Sequence, residues 1–354
     1  MAANLTSIAI NTRRAVRYGI YFVIIFLIGR MLLNVGVGVY RAVFPPPPPP
    51  PTVLFNRLSS LPFPAREGLP NLSFKLETPS GGLPKFPTQR KVYYMPKASP
   101  TLTSLEDAKA RAAKMGFVNA PVQVTSSIYR FASTDSAATL EMNIINGIFS
   151  ISYNLANDPV PLEKQPPNEA VAVSSAKAFL TSGSSLAEDM DGPSSAEFLK
   201  VDSSGFSTAL SLSEANLIKI NLFRKDYDEL PAKTADGKTA NVWFILSGDT
   251  RTSRQTIAAE YHYFPIDEKQ FSTYPTKTSQ QAWTDLQSGR GFIASLGENT
   301  DGNVTIRRVY QAYYDPGQYY DYYQPIFVFE GDRNFVGYVP AVTDQYYGDV
   351  VSGL

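Results

Sequence analysis

The chain has 354 residues, no cysteine and a single histidine, and its 32 basic residues balance its 32 acidic residues. The absence of cysteine excludes disulfides, thiolate metal sites and cysteine nucleophiles, and one histidine excludes a histidine-based zinc cluster within one chain. Five basic residues and no acid lie in the first 51 residues, so the rest carries 27 basic against 32 acidic residues. That balance argues against a nucleic-acid partner, because phosphate binding requires a basic face.

The first distinctive segment is an apolar run at residues 18–40, which predicts a transmembrane helix after a short polar stub (residues 1–17). About 20 apolar residues are enough to span a hydrocarbon core of roughly 30 Å. The run is longer than the roughly 7–15 apolar residues of a signal peptide and has no clean cleavage site, which favours an uncleaved anchor. Three arginines precede it (Arg13, Arg14, Arg17) and only Arg41 follows directly. The positive-inside rule therefore predicts a cytoplasmic N-terminus.

Arg30 lies inside the predicted span, where a charged residue costs on the order of 2.5–3.5 kcal/mol. Such a residue can contact a partner within the membrane. It can also extend its long side chain to the headgroups, which is the reading we favour.

Seven consecutive prolines at residues 45–51 predict a polyproline II spacer, which at about 3.1 Å per residue would reach roughly 22 Å. The proline-rich arm that follows (residues 52–100) contains two alternating stretches, residues 72–77 and 91–95. We expect both to be extended and to lie along the next domain at a sheet edge.

Three segments then share one pattern, in which a helix precedes an antiparallel meander; they are residues 101–160, 166–266 and 276–347. Their predicted helices cover residues 104–116, 168–181 and 277–289, each with a polar start and small or apolar residues on one face. Asn146-Gly147 between apolar runs is a strong hairpin signal. The predicted strands are residues 122–131, 138–145, 148–155, 196–201, 217–224, 240–246, 256–264, 291–296, 304–314, 323–330 and 334–340. The predicted fold class is α+β, with a transmembrane helix, a polyproline spacer and repeated helix-plus-meander modules.

Catalytic signatures are weak. A Ser-His-Asp triad would have to use His262, which lies in an alternating strand pattern, and no Gly-x-Ser-x-Gly elbow accompanies it. Closely spaced acids at Asp189/Asp191, at Asp226/Asp228/Glu229 and at Glu298/Asp301 could hold a hard cation. None of them continues into a complete calcium-loop pattern, so solvated loop acids are favoured. We predict no enzyme activity, no cofactor and no metal.

The strongest candidate for a binding surface is the tyrosine loop (residues 315–323), which is too rich in aromatic residues for a loop that only connects two strands. Its candidate contact residues are Tyr319, Tyr320, Tyr322 and Tyr323. Tyrosines at such positions can anchor a protein or peptide partner or stack on sugar rings, and tyrosines lining a half-buried sheet are the simpler alternative.

Residues 277–345 carry a resemblance to a known family. It rests on Ala282-Trp283-x-x-Leu286-x-x-Gly289, on Val309-Tyr310-x-Ala312-Tyr313-Tyr314, on the run 324–331 and on Phe335-x-Gly337-Tyr338-Val339-Pro340. This pattern resembles the last domain of the membrane-anchored regulators of the cell-wall sensor kinase in Gram-positive bacteria, and is similar to PepSY-like modules. The resemblance implies one N-terminal membrane helix, an extracytoplasmic α+β domain, no enzyme activity and a role through protein contact. The polyproline spacer and the proline-rich arm depart from that family.

The sequence therefore predicts a single-pass, non-enzymatic protein of a bacterial envelope, with residues 18–40 in the cell membrane and the C-terminal part outside. Its predicted partner is an envelope protein or peptide. The alternative is a module that binds cell-wall or surface glycan through exposed tyrosines, and a hydrolase using the acids is a third, weaker possibility. The oligomeric state is left open.

Overall fold

The computed structural model describes residues 5–43, 49–202 and 205–348. Most of the predicted spacer, residues 45–48, lies outside the described residues. The chain divides into two compact units, Met1–Pro50 and Pro51–Leu354.

The first unit contains one helix, α1 (Leu5–Val43), of 39 residues. It begins earlier than the predicted span, because the polar residues before Tyr18 include no proline and continue the helix. The most apolar 18-residue window within Ala9–Tyr40 has a mean hydropathy of 2.2, and none of that window is buried. In the described part of the chain, α1 is the one helix long and apolar enough to cross a membrane. At 1.5 Å per residue its length exceeds a hydrocarbon core of roughly 30 Å.

The second unit is a mixture of helices and mainly antiparallel sheets. Its helices are α2 (Ser104–Lys114), α3 (Glu169–Ser182), α4 (Thr252–Gln255) and α5 (Ser279–Gln287). Its strands are β1 (Ser73–Leu76), β2 (Gln89–Tyr94), β3 (Val122–Gln123), β4 (Ile128–Ala132), β5 (Ala138–Asn143), β6 (Phe149–Tyr153), β7 (Ser194–Asp202), β8 (Gly205–Thr208), β9 (Leu217–Leu222), β10 (Ala232–Lys233), β11 (Val242–Leu246), β12 (Thr256–Tyr261), β13 (Asp267–Pro275), β14 (Phe292–Ser295), β15 (Asn303–Tyr314), β16 (Tyr322–Tyr323), β17 (Pro325–Gly331) and β18 (Phe335–Pro340).

The first two helix-plus-meander segments share a single nine-stranded sheet, in the order β3-β4-β5-β6-β12-β11-β9-β7-β8. Strand β6 joins the two halves by pairing antiparallel with β12. Helices α2 and α3 bury small residues in the same core as the sheet, among them Ala108, Ala112, Ala172 and Ala176. Alanine at these positions allows a helix to approach the sheet closely, and the two segments therefore share one core.

The third segment contributes four strands to a six-stranded sheet in the order β1-β15-β17-β18-β14. Strand β1 comes from the proline-rich arm, and β10, from the second segment, also pairs with β15. Helix α5 packs Trp283 and Leu286 into its core beside Phe327 and Phe329. Strand β1 runs parallel to the start of β15, with Ser73 opposite Asn303, and β10 runs parallel to its end. The first piece of the proline-rich arm thus lies at a sheet edge, as predicted.

A small third sheet has the order β13-β2-β16. Its central strand β2 is the second extended piece of the arm, which therefore lies between two strands and not at the predicted edge. Strand β13 was not predicted, because its first half (Asp267-Glu268-Lys269-Gln270) is polar and shows no alternation. Nonetheless β13 pairs with β2 through residues 271–275.

Most other predicted elements are confirmed, with bounds that differ by up to three residues. The stretch 122–131 is two strands instead of one, since the chain bends between β3 and β4. Between β8 and β9 the chain makes a single 3-10 turn, Leu212–Glu214. Strands β8, β10 and β16 were not predicted as separate elements; they have two to four residues each.

Candidate functional site

The tyrosine loop connects β15 to β17 and includes β16. It turns at Gly317, whose φ of +64° is a left-handed conformation that favours glycine. A Cβ at this position would lie 2.5 Å from Oδ1 of Asn241, and the amide of Asn241 donates a hydrogen bond to the carbonyl of Asp315 (3.0 Å). The start of the loop is therefore fitted closely against the nine-stranded sheet.

Tyr323, one of the four predicted contact residues, is fully buried. Its ring stacks on that of Tyr313, with 4.8 Å between centroids and 10° between planes. The backbone of β16 places it opposite Tyr93 in β2. Its side chain belongs to the core and presents no surface to a partner, so this one residue is a correction to the predicted contact set.

Tyr320 and Tyr322 are half-buried and contact the proline-rich arm. The hydroxyl of Tyr320 donates to the carbonyl oxygens of Ser59 (2.6 Å) and Ser60 (2.7 Å). The ring of Tyr322 stacks on Phe55, with centroids 4.8 Å apart. The arm and the loop, which the sequence presents as separate features, therefore form one surface.

Tyr319 is also half-buried, and its hydroxyl donates to Oδ1 of Asp321 (2.6 Å). Burial and this carboxylate both raise the pKa of Tyr319, so its hydroxyl is a neutral donor at any physiological pH. The ammonium of Lys97 lies 5.6 Å from the centroid of the ring. Sugar recognition by stacking needs an open ring face, and one face of Tyr319 and one of Tyr322 already have a neighbour.

An arginine clamp (Arg224, Asp189 and Asp315) joins the start of the tyrosine loop to the nine-stranded sheet. Arg224 is only 3% exposed. Its Nη1 donates to Oδ2 of Asp189 (2.6 Å), its Nε donates to Oδ2 of Asp315 (2.8 Å), and its Nη2 donates to the carbonyl of Phe264. The hydroxyl of Tyr227 completes the arrangement by donating to Asp189 (2.8 Å). Every part of the guanidinium is thus directed at a buried acceptor.

The charge state of the clamp follows from these contacts. Burial alone would lower the pKa of Arg224, but Asp315 and Asp189 outweigh that effect and raise the pKa well above its ordinary value. The ring of Tyr263 lies 4.3 Å from the guanidinium and adds a cation–π contact. Arg224 is therefore a permanent buried cation, held in the clamp by two carboxylates.

The clamp explains one of the acid patterns seen in the sequence. Asp189-x-Asp191-Gly192 was considered as a loop that could hold a hard cation, and Asp189 does hold a cation, the guanidinium of Arg224. Glycine is required at position 192, because a Cβ there would lie 2.0 Å from the carbonyl oxygen of Arg224. The sequence pattern therefore pointed to a cation at Asp189, but that cation is Arg224, which lies 35 residues further along the chain.

Two of the other closely spaced acids, Asp228 and Asp301, also form ion pairs within the fold. Asp228 lies 3.5 Å from Arg90 and 3.4 Å from Lys91. Asp301 lies 2.9 Å from Arg333. In the described part of the chain, no group of three or more His, Cys, Asp or Glu residues is arranged to hold a metal ion.

His262 lies where β12 meets the start of the tyrosine loop. Its Nε2 is 2.9 Å from Oε2 of Glu260, and its Nδ1 is 3.2 Å from the carbonyl of Gly317. Both neighbours are acceptors and so favour the doubly protonated ring. The hydrogen bond to Glu260 raises the pKa of His262 above 6.5 and outweighs partial burial. His262 thus has the surroundings of a structural cation between sheet and loop.

These contacts predict a modest pH dependence of stability. Because the folded pKa of His262 is raised, its stabilising contribution is complete below the unfolded value of 6.5 and is lost as pH rises through the folded value. Its side chain is 43% exposed, so solvent screening keeps this contribution below about 1 kcal/mol. We expect the unfolding temperature to fall slightly between about pH 6 and pH 8, and to fall less in His262→Gln. Differential scanning fluorimetry of both chains across that range measures this, and equal slopes would contradict it.

Arg30, the predicted membrane residue, lies exposed on α1 within the apolar stretch Ala9–Tyr40. The helix belongs to the first compact unit and the tyrosine loop to the second. The two predicted contact features are thus carried by different units of the chain.

Comparison with known proteins places the chain near no named family. No family model and no curated protein matches the sequence. Among solved structures, it is similar to an uncharacterized protein from Eubacterium rectale (12% identity, 74% of this chain and 85% of that chain, TM-score 0.40). It is also similar to the C-terminal domain of YpeB from Bacillus megaterium (11%, 70% and 95%, 0.33), and to YycH from Bacillus subtilis (10%, 74% and 54%, 0.32). The match thus spans about half of YycH, and likenesses this weak carry no functional conclusion for this chain.

Proposed function

We propose that the protein is a single-pass, membrane-anchored protein of a bacterial envelope, which acts by contact with another protein and catalyses no reaction. The observation that carries this proposal is α1, whose most apolar 18-residue window lies within Ala9–Tyr40, has a mean hydropathy of 2.2 and is not buried at any point. A helix that exposes an apolar surface on all sides requires lipid or protein around it.

The arginine distribution sets the orientation in this proposal. Arg13, Arg14 and Arg17 precede the most apolar part of α1 and would remain in the cytoplasm. The second compact unit, Pro51–Leu354, would then lie outside. An excess of acids over bases in that unit suits a domain held near, but not against, an anionic bilayer.

Two features of the second unit support contact over catalysis. The buried charges of the arginine clamp are paired with one another, and both of its acids are 5% exposed. Both ring nitrogens of His262 face acceptors of the fold, Glu260 and Gly317, and not a serine or threonine hydroxyl. The tyrosine loop would be the contact surface, through the half-buried residues Tyr319, Tyr320 and Tyr322.

Labelling of single cysteines tests the proposed location, because the natural chain has none and gives no background. Leu102 is fully exposed in the second unit, and Asn11 is exposed near the start of α1. In intact cells, we expect a membrane-impermeant maleimide to label Leu102→Cys strongly and Asn11→Cys only after permeabilisation. Both chains should remain with the membrane fraction after carbonate washing.

The same cells test the contact surface. A photo-cross-linking residue at Gln318, which is exposed in the tyrosine loop, is expected to capture an envelope protein. The same residue at Asp191, which is exposed and lies outside the tyrosine loop, serves as a matched control. Release of the chain by carbonate would contradict the anchor, labelling of Asn11→Cys alone would reverse the orientation, and identical cross-linking at both positions would contradict the loop.

A further inference from the structure

A cavity of about 380 Å³ opens beside α5 in the third segment. Its walls come from the outer face of α5 and from the turn that follows β18. Cavities of roughly 300–1,000 Å³ are the size that small ligands occupy in proteins.

The floor of this cavity carries two basic side chains and one buried acid. Lys277 is only 8% exposed, and its Nζ lies 2.7 Å from Oδ2 of Asp285. Asp285 is buried too, and its other oxygen accepts a hydrogen bond from Arg290. Two cations thus share one buried acid, which leaves a net charge of +1 at the floor.

A second carboxylate, that of Asp344, neutralises that charge, and unlike Asp285 it belongs to an exposed residue. Oδ1 of Asp344 lies 2.7 Å from Nζ of Lys277, yet the side chain of Asp344 is 70% exposed. It reaches the site from a surface turn and not from the core. Because Asp344 is already largely hydrated, moving it into water costs little desolvation energy compared with moving Asp285.

A second cation lines the cavity that Asp344 enters. The side chain of Arg290 is 62% exposed, and a guanidinium offers five N–H groups in a fork that matches a carboxylate. The cavity therefore presents two cations and one replaceable carboxylate.

We propose that this cavity binds a carboxylate, in the form of the C-terminus of a short peptide, and that Asp344 occupies the place of that carboxylate when no ligand is bound. The ligand carboxylate accepts hydrogen bonds from the ammonium of Lys277 and from the guanidinium of Arg290. The rest of the peptide lies along the outer face of α5, beside Gln280 and Thr284. Capture of a peptide C-terminus by a fixed set of donors is an established mode of recognition.

In this arrangement Asp344 competes with the ligand carboxylate for Lys277, so changing Asp344 should change the measured affinity for the ligand. The apparent affinity of the natural chain is reduced by the fraction of time that Asp344 holds the site. Replacing Asp344 by asparagine removes the competing charge and leaves only a neutral, weaker acceptor beside Lys277. Affinity for a free carboxylate should therefore rise in Asp344→Asn.

The test uses the full chain in detergent and isothermal titration calorimetry with two probes, N-acetyl-trialanine with a free C-terminus and the same peptide as its C-terminal amide. We expect the acid to bind Asp344→Asn at least about tenfold more tightly than the natural chain, and the amide to bind neither. Adding Arg290→Gln, at an exposed position, should weaken binding of the acid about tenfold, because one of the two cations is lost.

Asp191→Asn is the matched control, since Asp191 is also an exposed loop acid but lies outside the cavity. It changes the net charge by the same amount and should leave the affinity unchanged. Equal binding of acid and amide, or equal affinities of Asp344→Asn, Asp191→Asn and the natural chain for the acid, would overturn the proposal. The measurement needs no membrane or protein partner, so its outcome is independent of the proposed function.

Discussion

Replacing Arg224 by methionine is expected to lower the free energy of unfolding by about 3–5 kcal/mol, measured by urea denaturation of the full chain in mild detergent. The substitution keeps an unbranched, flexible side chain but removes the guanidinium, and so leaves the carboxylates of Asp189 and Asp315 without their cation. Both acids are 5% exposed, so neither can turn to water without opening the structure. Removing one member of a buried ion pair is costly mainly because the other charge stays behind.

The neighbouring residue provides a matched control. Lys225 is also paired with an acid, Glu268 at 2.7 Å, but the side chains are 38% and 53% exposed. Lys225→Met should therefore change the free energy of unfolding by less than about 1 kcal/mol. A triple variant, Arg224→Met with Asp189→Asn and Asp315→Asn, should regain part of the loss, because no unpaired charge remains. Similar costs for Arg224→Met and Lys225→Met would show that the clamp contributes nothing beyond a surface pair.

Replacing Tyr323 by alanine is expected to cost about 3–5 kcal/mol, because it removes a fully buried ring from the centre of an aromatic cluster. The ring of Tyr323 stacks on Tyr313 and meets Tyr227 edge-on, with centroids 5.4 Å apart. The vacated space lies between β2 and the end of β15. We expect other side chains to fill this space only if the tyrosine loop moves. Urea denaturation measures the loss.

Tyr323→Phe separates the ring from its hydroxyl. That hydroxyl is buried without a hydrogen-bond partner in the described part of the chain, so its removal should be neutral or slightly stabilising. A large loss in Tyr323→Phe would mean that the hydroxyl has a partner, such as a bound water. A small loss in Tyr323→Ala would contradict the placement of Tyr323 in the core.

Elements with local signals were predictable from the sequence. Helix α5 begins at a capping box formed by Thr278 and Gln281, and the turn between β5 and β6 contains Gly147 with a φ of +73°. Both signals are carried by residues within a few positions of one another, so the periodicity and the turn residues are enough to locate them.

Features that depend on distant residues were not predictable. The polar first half of β13 gives no alternating pattern, and the strand exists because β2 offers it a partner. The burial of Tyr323 follows from its pairing with Tyr93, some 230 positions earlier in the chain. In the same way, the sequence shows Asp189 as one of two closely spaced acids and does not show the arginine that meets it. The tyrosine loop could be recognised as unusual, but its division into core and surface residues required the fold.

The parallel pairing of β1 with β15 has a consequence for how the chain is made. Ser73 pairs with Asn303, which is synthesised 230 residues later, so β1 has no native partner until then. At ribosomal rates of about 5–20 residues per second, the interval is about 12–46 s. During that time the backbone donors and acceptors of the arm have no native partner, and a free strand of this kind is a site for wrong pairing. The prolines that flank β1 remove donors from its surroundings and limit such pairing. The proline-rich arm can thus be understood as a segment built to stay unpaired until the last third of the chain arrives.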